Sequence, residues 1–376
     1  MRCDSTRDGK GQAVATQITN YQCPNCLGGL RFDGKLAQQV CDNCGTTFDV
    51  SVIEQIFADK EQQAVSAGTE PQWDITLTNN FTAEEAAKLR GYLCPSCSAE
   101  IICDHTTVAT RCPYCGNPTV VPGQFSNDLR PDYVIPFRVD KNTAIEALKK
   151  YYKGKKFLPN NFSEANHLHE VTGVYVPFWL YNGVANASMR FSAQKVSSYT
   201  SGNYRITHTD HFRLTRQGTV VFEKVPTDAS SKMPDAHMDS IEPFDYNGLV
   251  PFSSAYLPGF LADKYDEDAK FCSKRANARI VASTEDAFLR TTSGYSSVRR
   301  EFSNIDLKTG DIKYAMMPVW LLATKWQGQN FLFAMNAQTG KLVGDLPIDK
   351  GKYWGWFFKI AGPIAVVLAL ILFIGG

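Results

Sequence analysis

The sequence predicts a β-rich α+β domain with two small β modules before it and one C-terminal transmembrane helix after it. Three observations carry this. The spacing C-x2-C-x14-C-x2-C occurs twice near the N-terminus, alternating β-branched and aromatic residues fill the middle, and the last stretch is almost wholly apolar.

At 376 residues there is room for two or three domains, and a net charge of +1 gives no global attraction for polyanions. Residues 1–20 are polar and lack the apolar core of an export signal, so they read as a disordered lead-in. Eleven cysteines without such a signal imply a reducing compartment.

The first module is residues 21–50, with Cys23, Cys26, Cys41 and Cys44. The second is residues 92–121, with Cys94, Cys97, Cys112 and Cys115. Each opens with a C-P-x-C turn that aims two thiolates at one point, and a second knuckle returned by a hairpin supplies two more. This is the pattern of a zinc ribbon, so two zinc ions are expected. Four sulfurs complete a tetrahedral shell and leave no place for water, which makes the expected role structural. Metal binding of this kind supplies about 10–16 kcal/mol, which a module with almost no core needs in order to fold. Paired knuckles do not suit disulfides, and thioredoxin-like chemistry needs a single C-x-x-C at a helix start. Whether Cys103 or His105 enters the second metal shell stays open at this level.

Further along, Gly29-x4-Gly34-Lys35 imitates a P-loop, but Leu36 stands where magnesium needs a hydroxyl. Residues 51–91 read as a helical linker, with capping boxes at Ser51/Glu54 and Thr82/Glu85. The α+β domain covers 130–349. In it, Thr143 and Glu146 cap a helix closed by Gly154, and strands are expected at 174–182, 187–196, 204–215 and 219–225. A longer helix is expected over 263–289, with Cys272 on its buried face. Strands at 298–307, 314–326, 330–336 and 341–343 complete the domain, separated by Gly-containing turns. Val176-Pro177-Phe178-Trp179-Leu180 matches Met317-Pro318-Val319-Trp320-Leu321, and each follows a Pro-Phe pair, Pro136-Phe137 or Pro243-Phe244. Two related halves would explain this.

Residues 354–374 contain one charge, Lys359, and 21 residues at about 1.5 Å each span roughly 31 Å, the thickness of a bilayer core. They read as a single transmembrane helix, with Trp354 and Trp356 at the interface. Lys350, Lys352 and Lys359 on its N-terminal side place the bulk of the chain on the cytoplasmic face of the inner membrane.

Outside the cysteines little advertises chemistry. His167 with His169, and His208 with Asp210 and His211, are the alternative metal sets. No nucleophile elbow, H-E-x-x-H or complete P-loop occurs, so no enzyme is expected. Nucleic acid is disfavoured at the ribbons: Arg31 and Lys35 against Asp33, Asp42 and Asp49 leave −1, and Arg111 against Glu100 and Asp104 leaves −1. Protein partners are favoured instead.

The knuckles Tyr21-Gln22-Cys23-Pro24-Asn25-Cys26 and Tyr114-Cys115-Gly116, together with Gly173 to Trp179, Pro243-Phe244-Asp245, Tyr256 to Phe260 and Pro318-Val319-Trp320-Leu321-Leu322, give the chain its likeness. It resembles bacterial tail-anchored membrane proteins with two zinc ribbons, labelled "TFIIB-type zinc ribbon" or "primosomal helicase-like". Leu27 and Ser98 depart from the Gly common after a knuckle. The resemblance implies an association with PspA-like and SPFH proteins of envelope-stress systems, while the helicase label finds no motor motif. The sequence thus points to a membrane-anchored cytoplasmic scaffold that recruits proteins, with a tethered nucleic-acid binder and an enzyme in the α+β domain as the other function classes.

Overall fold

The computed structural model describes residues 79–374 except 108, 110, 119, 124–128, 161 and 163–169, with side chains in the last helix as far as Ile364. Before residue 79 it describes 23–24, 30–33, 38–41, 45–49, 52–53, 73 and 75. The lead-in, most of the helix expected after Ser51 and most of the linker lie outside the described residues.

The first module holds a small antiparallel sheet of β1 (Leu30–Asp33), β2 (Gln38–Cys41) and β3 (Thr47–Phe48), in register Leu30↔Cys41 and Gln39↔Phe48. A short helix α1 (Ala83–Ala86) follows the Thr82/Glu85 capping box and leads into β4 (Leu89–Leu93), β5 (Glu100–Asp104) and β6 (Val121–Gly123). These three strands carry the second module, and they are not a separate domain. β5 pairs with β11 (Leu261–Asp263) through Ala262↔Ile102, which merges the module into one large mixed sheet.

That sheet has eleven strands, and among the described residues it is the larger of two. Its other members are β7 (Tyr133–Val134), β8 (Thr172–Ser201), β9 (Tyr204–Asp228), β10 (Val250–Pro251), β12 (Ser297–Trp326), β13 (Gln329–Asn336) and β14 (Leu342–Gly344). Helices α2 (Lys141–Tyr152), α3 (Asp235–Ile241) and α4 (Ala269–Arg290) complete a β-rich α+β fold. Asp140, not Thr143, caps α2 by accepting from Asn142 N and Thr143 N. Asp268 caps α4, so the long helix starts later than its periodicity suggests and the residues before it join the sheet.

Glycines explain why the strands are longer than expected. Gly310 reads as a turn residue and Gly183 falls between two expected strands, yet both lie inside strands. A Cβ on Gly183 would approach Lys308 O to 3.1 Å, and one on Gly310 would approach Asn182 O to 2.5 Å. The register between β8 and β12 shifts between Thr309 and Ile312, so these glycines allow close backbone approach at a bulge and do not reverse the chain.

The two halves repeat one another, with an exchange the sequence conceals. Trp179 Nε1 donates to Glu267 O, beside the cap of α4, and Trp320 Nε1 donates to Val139 O, beside the cap of α2. Ala229 N donates to Pro177 O and Ala337 N to Pro318 O, each at 2.9 Å. β11 runs parallel to β8 at Leu261↔Val174, as β7 does to β12 at Tyr133↔Ala315. Phe137 meets Trp320 at 5.2 Å where Tyr265 meets Trp179 at 5.3 Å. Each half therefore seats its indole on the other half's helix cap. The partner of Phe137 in the repeat is Tyr265, whereas Pro243-Phe244 belongs to the segment after α3.

The membrane-spanning helix expected at 354–374 is overturned: among the described residues no helix is long and apolar enough to cross a membrane. The last helix, α5 (Lys350–Ile374), begins as part of the α+β domain. Asp349 accepts from Gly351 N and Lys352 N, and Lys352 Nζ donates to Leu158 O at 2.6 Å. Phe157 packs edge-on against Tyr353 and Trp356. Of the two tryptophans assigned to a bilayer interface, Trp356 thus has a partner in the α+β domain. The single-pass inner-membrane location that rested on that helix falls with it.

Candidate metal centre

The second module shows how the cysteines meet. β4 delivers Cys94, whose N–H donates to Ala99 O while Ser98 N–H donates back to Cys94 O. The other knuckle repeats this: Cys112 N–H to Asn117 O, and Gly116 N–H to Cys112 O. Closing so tight a loop needs a left-handed residue after the second cysteine. Gly116 has φ +67° and Ser98 φ +57°, so Ser98 adopts the glycine conformation without being glycine. Pro95 and Pro113 preset the preceding turn.

The four sulfurs of Cys94, Cys97, Cys112 and Cys115 all lie within 4.8 Å of one another. Cys94 to Cys115 is 3.7 Å and Cys97 to Cys112 is 3.6 Å. A tetrahedron with metal–sulfur bonds of about 2.3 Å has edges of about 3.8 Å, whereas a disulfide needs about 2.05 Å. The donor set therefore fits a tetrahedral, thiophilic cation. Cys94 and Cys112 are fully buried. Burial pushes the Cys97 thiol up to about 11 and the Cys112 thiol higher still. Burial also acts upward on Cys94, but N–H groups of Cys97 and Ser96 outweigh it and hold that thiol below its ordinary value. A divalent cation supplies the charge that four clustered thiolates require.

Cys103 stands apart from this group. It is buried and donates to Thr107 O at 3.1 Å, and His105 is exposed with its N–H donating to Lys88 O. Burial acts upward on the Asp104 carboxyl, but hydroxyl and N–H donors of Thr106 and Thr107 hold it down at about 2, which fixes the hairpin loop. Of the first quartet, Cys26 and Cys44 lie outside the described residues. Cys23 and Cys41 are buried with Leu30 and Ile53. Cys41 N–H donates to Thr46 O and Gly45 N–H to Cys41 O, each at 2.9 Å, with Gly45 at φ +71°. The Cys41 turn thus has the same backbone bonds as the Cys112 knuckle.

Two features are absent from the sequence reading. Tyr114, between two of the cysteines, is buried beside Asp263 of β11, and Asp263 accepts from the Ser230 hydroxyl at 2.5 Å. Burial pushes Asp263 up to about 7 against the opposing pull of the Ser230 and Tyr114 hydroxyls. The metal module is thereby tied to the domain's interior. Second, Arg275 and Arg279 of α4 are folded into an ionic network. Arg275 binds Asp228 at 2.8 Å and Asp239 at 2.9 Å, and Arg279 binds Asp239 and, at 3.2 Å, Glu242. No local pattern signals either feature, because the partners are 33 to 149 residues apart.

The alternative metal sets are not assembled. His208 sits 3.3 Å from Asp210 on one face of β9, while His211 falls on the other face by strand alternation. His167 and His169 lie outside the described residues, as do Gly34 and Lys35 of the P-loop look-alike.

No protein-family model matches the chain, and no solved structure matches it. A Bacillus subtilis protein described as "Uncharacterized protein YdjG" is 33% identical over 360 residues, an alignment covering 96% of this chain and 99% of the relative. At that identity along nearly the whole of both chains, the chain belongs to the family of that Bacillus subtilis protein.

Proposed function

We propose that the chain is a zinc-structured scaffold that recruits protein partners. The observation that carries the reading is the closed shell: four sulfurs at tetrahedral spacing use every coordination position, so the ion shapes a surface and offers no site for a reacting ligand. Zinc suits four thiolates at this spacing, and two ions are proposed, one per cysteine quartet. The filled interior supports the same reading. Trp179, Tyr175, Tyr181, Phe178 and Phe191 are fully buried, and an apolar cavity beside Tyr265 and Tyr314 has room for about one water. The resemblance makes PspA-like and SPFH proteins the first partners to seek.

The test is chemical crosslinking in cells followed by mass spectrometry, comparing the full chain with Cys41→Ser and Cys112→Ser. Partners captured by the wild type and lost with either variant support the scaffold. A partner set indifferent to both variants, or a purified chain holding less than one zinc, overturns it.

A further inference from the structure

The hairpin of β8 and β9 extends well beyond the body of the fold. β8 runs for 30 residues and β9 for 25, turning at Gly202 with φ +59°. β12 accompanies them as far as Ser297↔Gln194. One face of this three-stranded sheet is core: Ala187, Met189, Phe191 and Ala193 are buried, and Phe288 of α4 lies beneath. The other face is open, and the register decides what stands on it.

Across that open face Arg213 is opposite Ser192, which is opposite Arg299. In the next row Thr215 is opposite Arg190, which is opposite Phe302. Strands about 4.8 Å apart and rows about 6.8 Å apart set the three arginines roughly 8–10 Å from one another. The Arg190 guanidinium lies 5.7 Å over the Phe302 ring, which is 47% exposed. Arg205 continues the face toward the tip. Glu301, in the bulge of β12, approaches Arg213 to 4.0 Å, and Asp210 is paired with His208 on the opposite face. Arg216 and Arg300 belong to the core side, held by Thr291 and Glu285.

Charge is segregated accordingly. Over these rows the open face carries Arg190, Arg205, Arg213 and Arg299 against Glu301, four cations to one anion, in a chain whose total charge is +1. This part of the molecule, not the ribbons, has the excess a polyanion needs.

We propose that the open face of β8, β9 and β12 binds single-stranded nucleic acid, its arginines on phosphates and Phe302 beneath a base. The three-stranded sheet is too wide for a major groove, which admits a two-stranded ribbon, so duplex cannot reach Arg190, Arg213 and Arg299 together. An unpaired strand can lie across them, with the hydroxyls of Ser192 and Thr215 and the amide of Gln194 among them as hydrogen-bonding groups. This site is independent of the recruitment of proteins proposed above.

The test is fluorescence anisotropy of labelled 20-mer oligothymidylate and oligouridylate with the full chain. Four phosphate contacts predict a slope of about −2.8 in log affinity against log salt, or roughly 50-fold weaker binding at 200 mM than at 50 mM. The variant R190Q/R213Q/R299Q is expected to flatten the slope by about 2 and to keep the wild-type melting temperature, because these side chains are at the surface. Phe302→Ala should weaken binding without changing the slope. Absence of binding at 50 mM salt, equal affinity for duplex, polyglutamate or anionic vesicles, or a triple variant that binds like wild type overturns the proposal.

Discussion

Replacing Cys112 with Ser tests how far the metal module and the α+β domain act as one body. A structural zinc site supplies about 10–16 kcal/mol, so each of four equivalent sulfurs carries about 2.5–4 kcal/mol. In an isolated ribbon that loss unfolds the module. Here Cys94, Ile101, Cys103, Cys112 and Tyr114 share a cluster with Ile135, Val174, Val176 and Phe178, and β5 stays paired with β11. The variant is therefore expected to keep its sheet and to lose stability by about that single-ligand amount. For a domain of this size each kcal/mol lowers the melting temperature by about 2–4 °C, which gives a fall of roughly 5–16 °C. Calorimetry, with elemental analysis of the same samples, measures both quantities. Chelator treatment of the wild type should lower its melting temperature at least as far, and Cys103→Ser should leave the metal content unchanged. A Cys112→Ser protein that keeps both its metal and its melting temperature would refute the assignment.

Three other outcomes follow from the geometry. Gly310→Ala places a methyl group 2.5 Å from Asn182 O, and is expected to cost about 1–3 kcal/mol in urea unfolding; an unchanged midpoint would mean the bulge is not tightly apposed. Arg279→Met leaves Glu242 buried without its guanidinium and is expected to cost about 3–5 kcal/mol, part of it recovered in the double variant with Glu242→Gln; strictly additive losses would show that the two side chains do not interact. Burial pushes Asp228 up to about 7 from an ordinary 3.8, with Arg275 opposing. The folded state then keeps a proton that the unfolded chain releases, so stability should fall as pH rises from about 4 to about 7 and level off above. Asp228→Asn should make this slope shallower, and an identical pH profile in the variant would rule out Asp228 as its source.

The cysteine quartet was legible because its members are close in sequence and thiolate spacing is a local geometric demand. Strand character was legible from alternation, but strand ends were not. Gly183 and Gly310 carry the composition of turns, and only the position of the facing strand shows that they admit a backbone. The Trp repeat was visible, yet its upstream partner was misassigned, since Tyr265 and Phe137 are equivalent by the indole each one meets. Charge counted over the ribbons gave no hint of the hairpin face, because Arg190, Arg213 and Arg299 gather only through strand register. The apolar run at the C-terminus was read without Phe157, which packs edge-on against Trp356 at its start.

By itself the sequence determined which atoms could hold a metal and which segments would be extended, since both depend on neighbours within a few residues. The tertiary structure decided that the second ribbon is part of the main sheet, that each half caps the other's helix, and which face of the long hairpin carries the arginines. Those outcomes depend on pairings between residues far apart in the chain, whose register is set by burying one face of every strand at once.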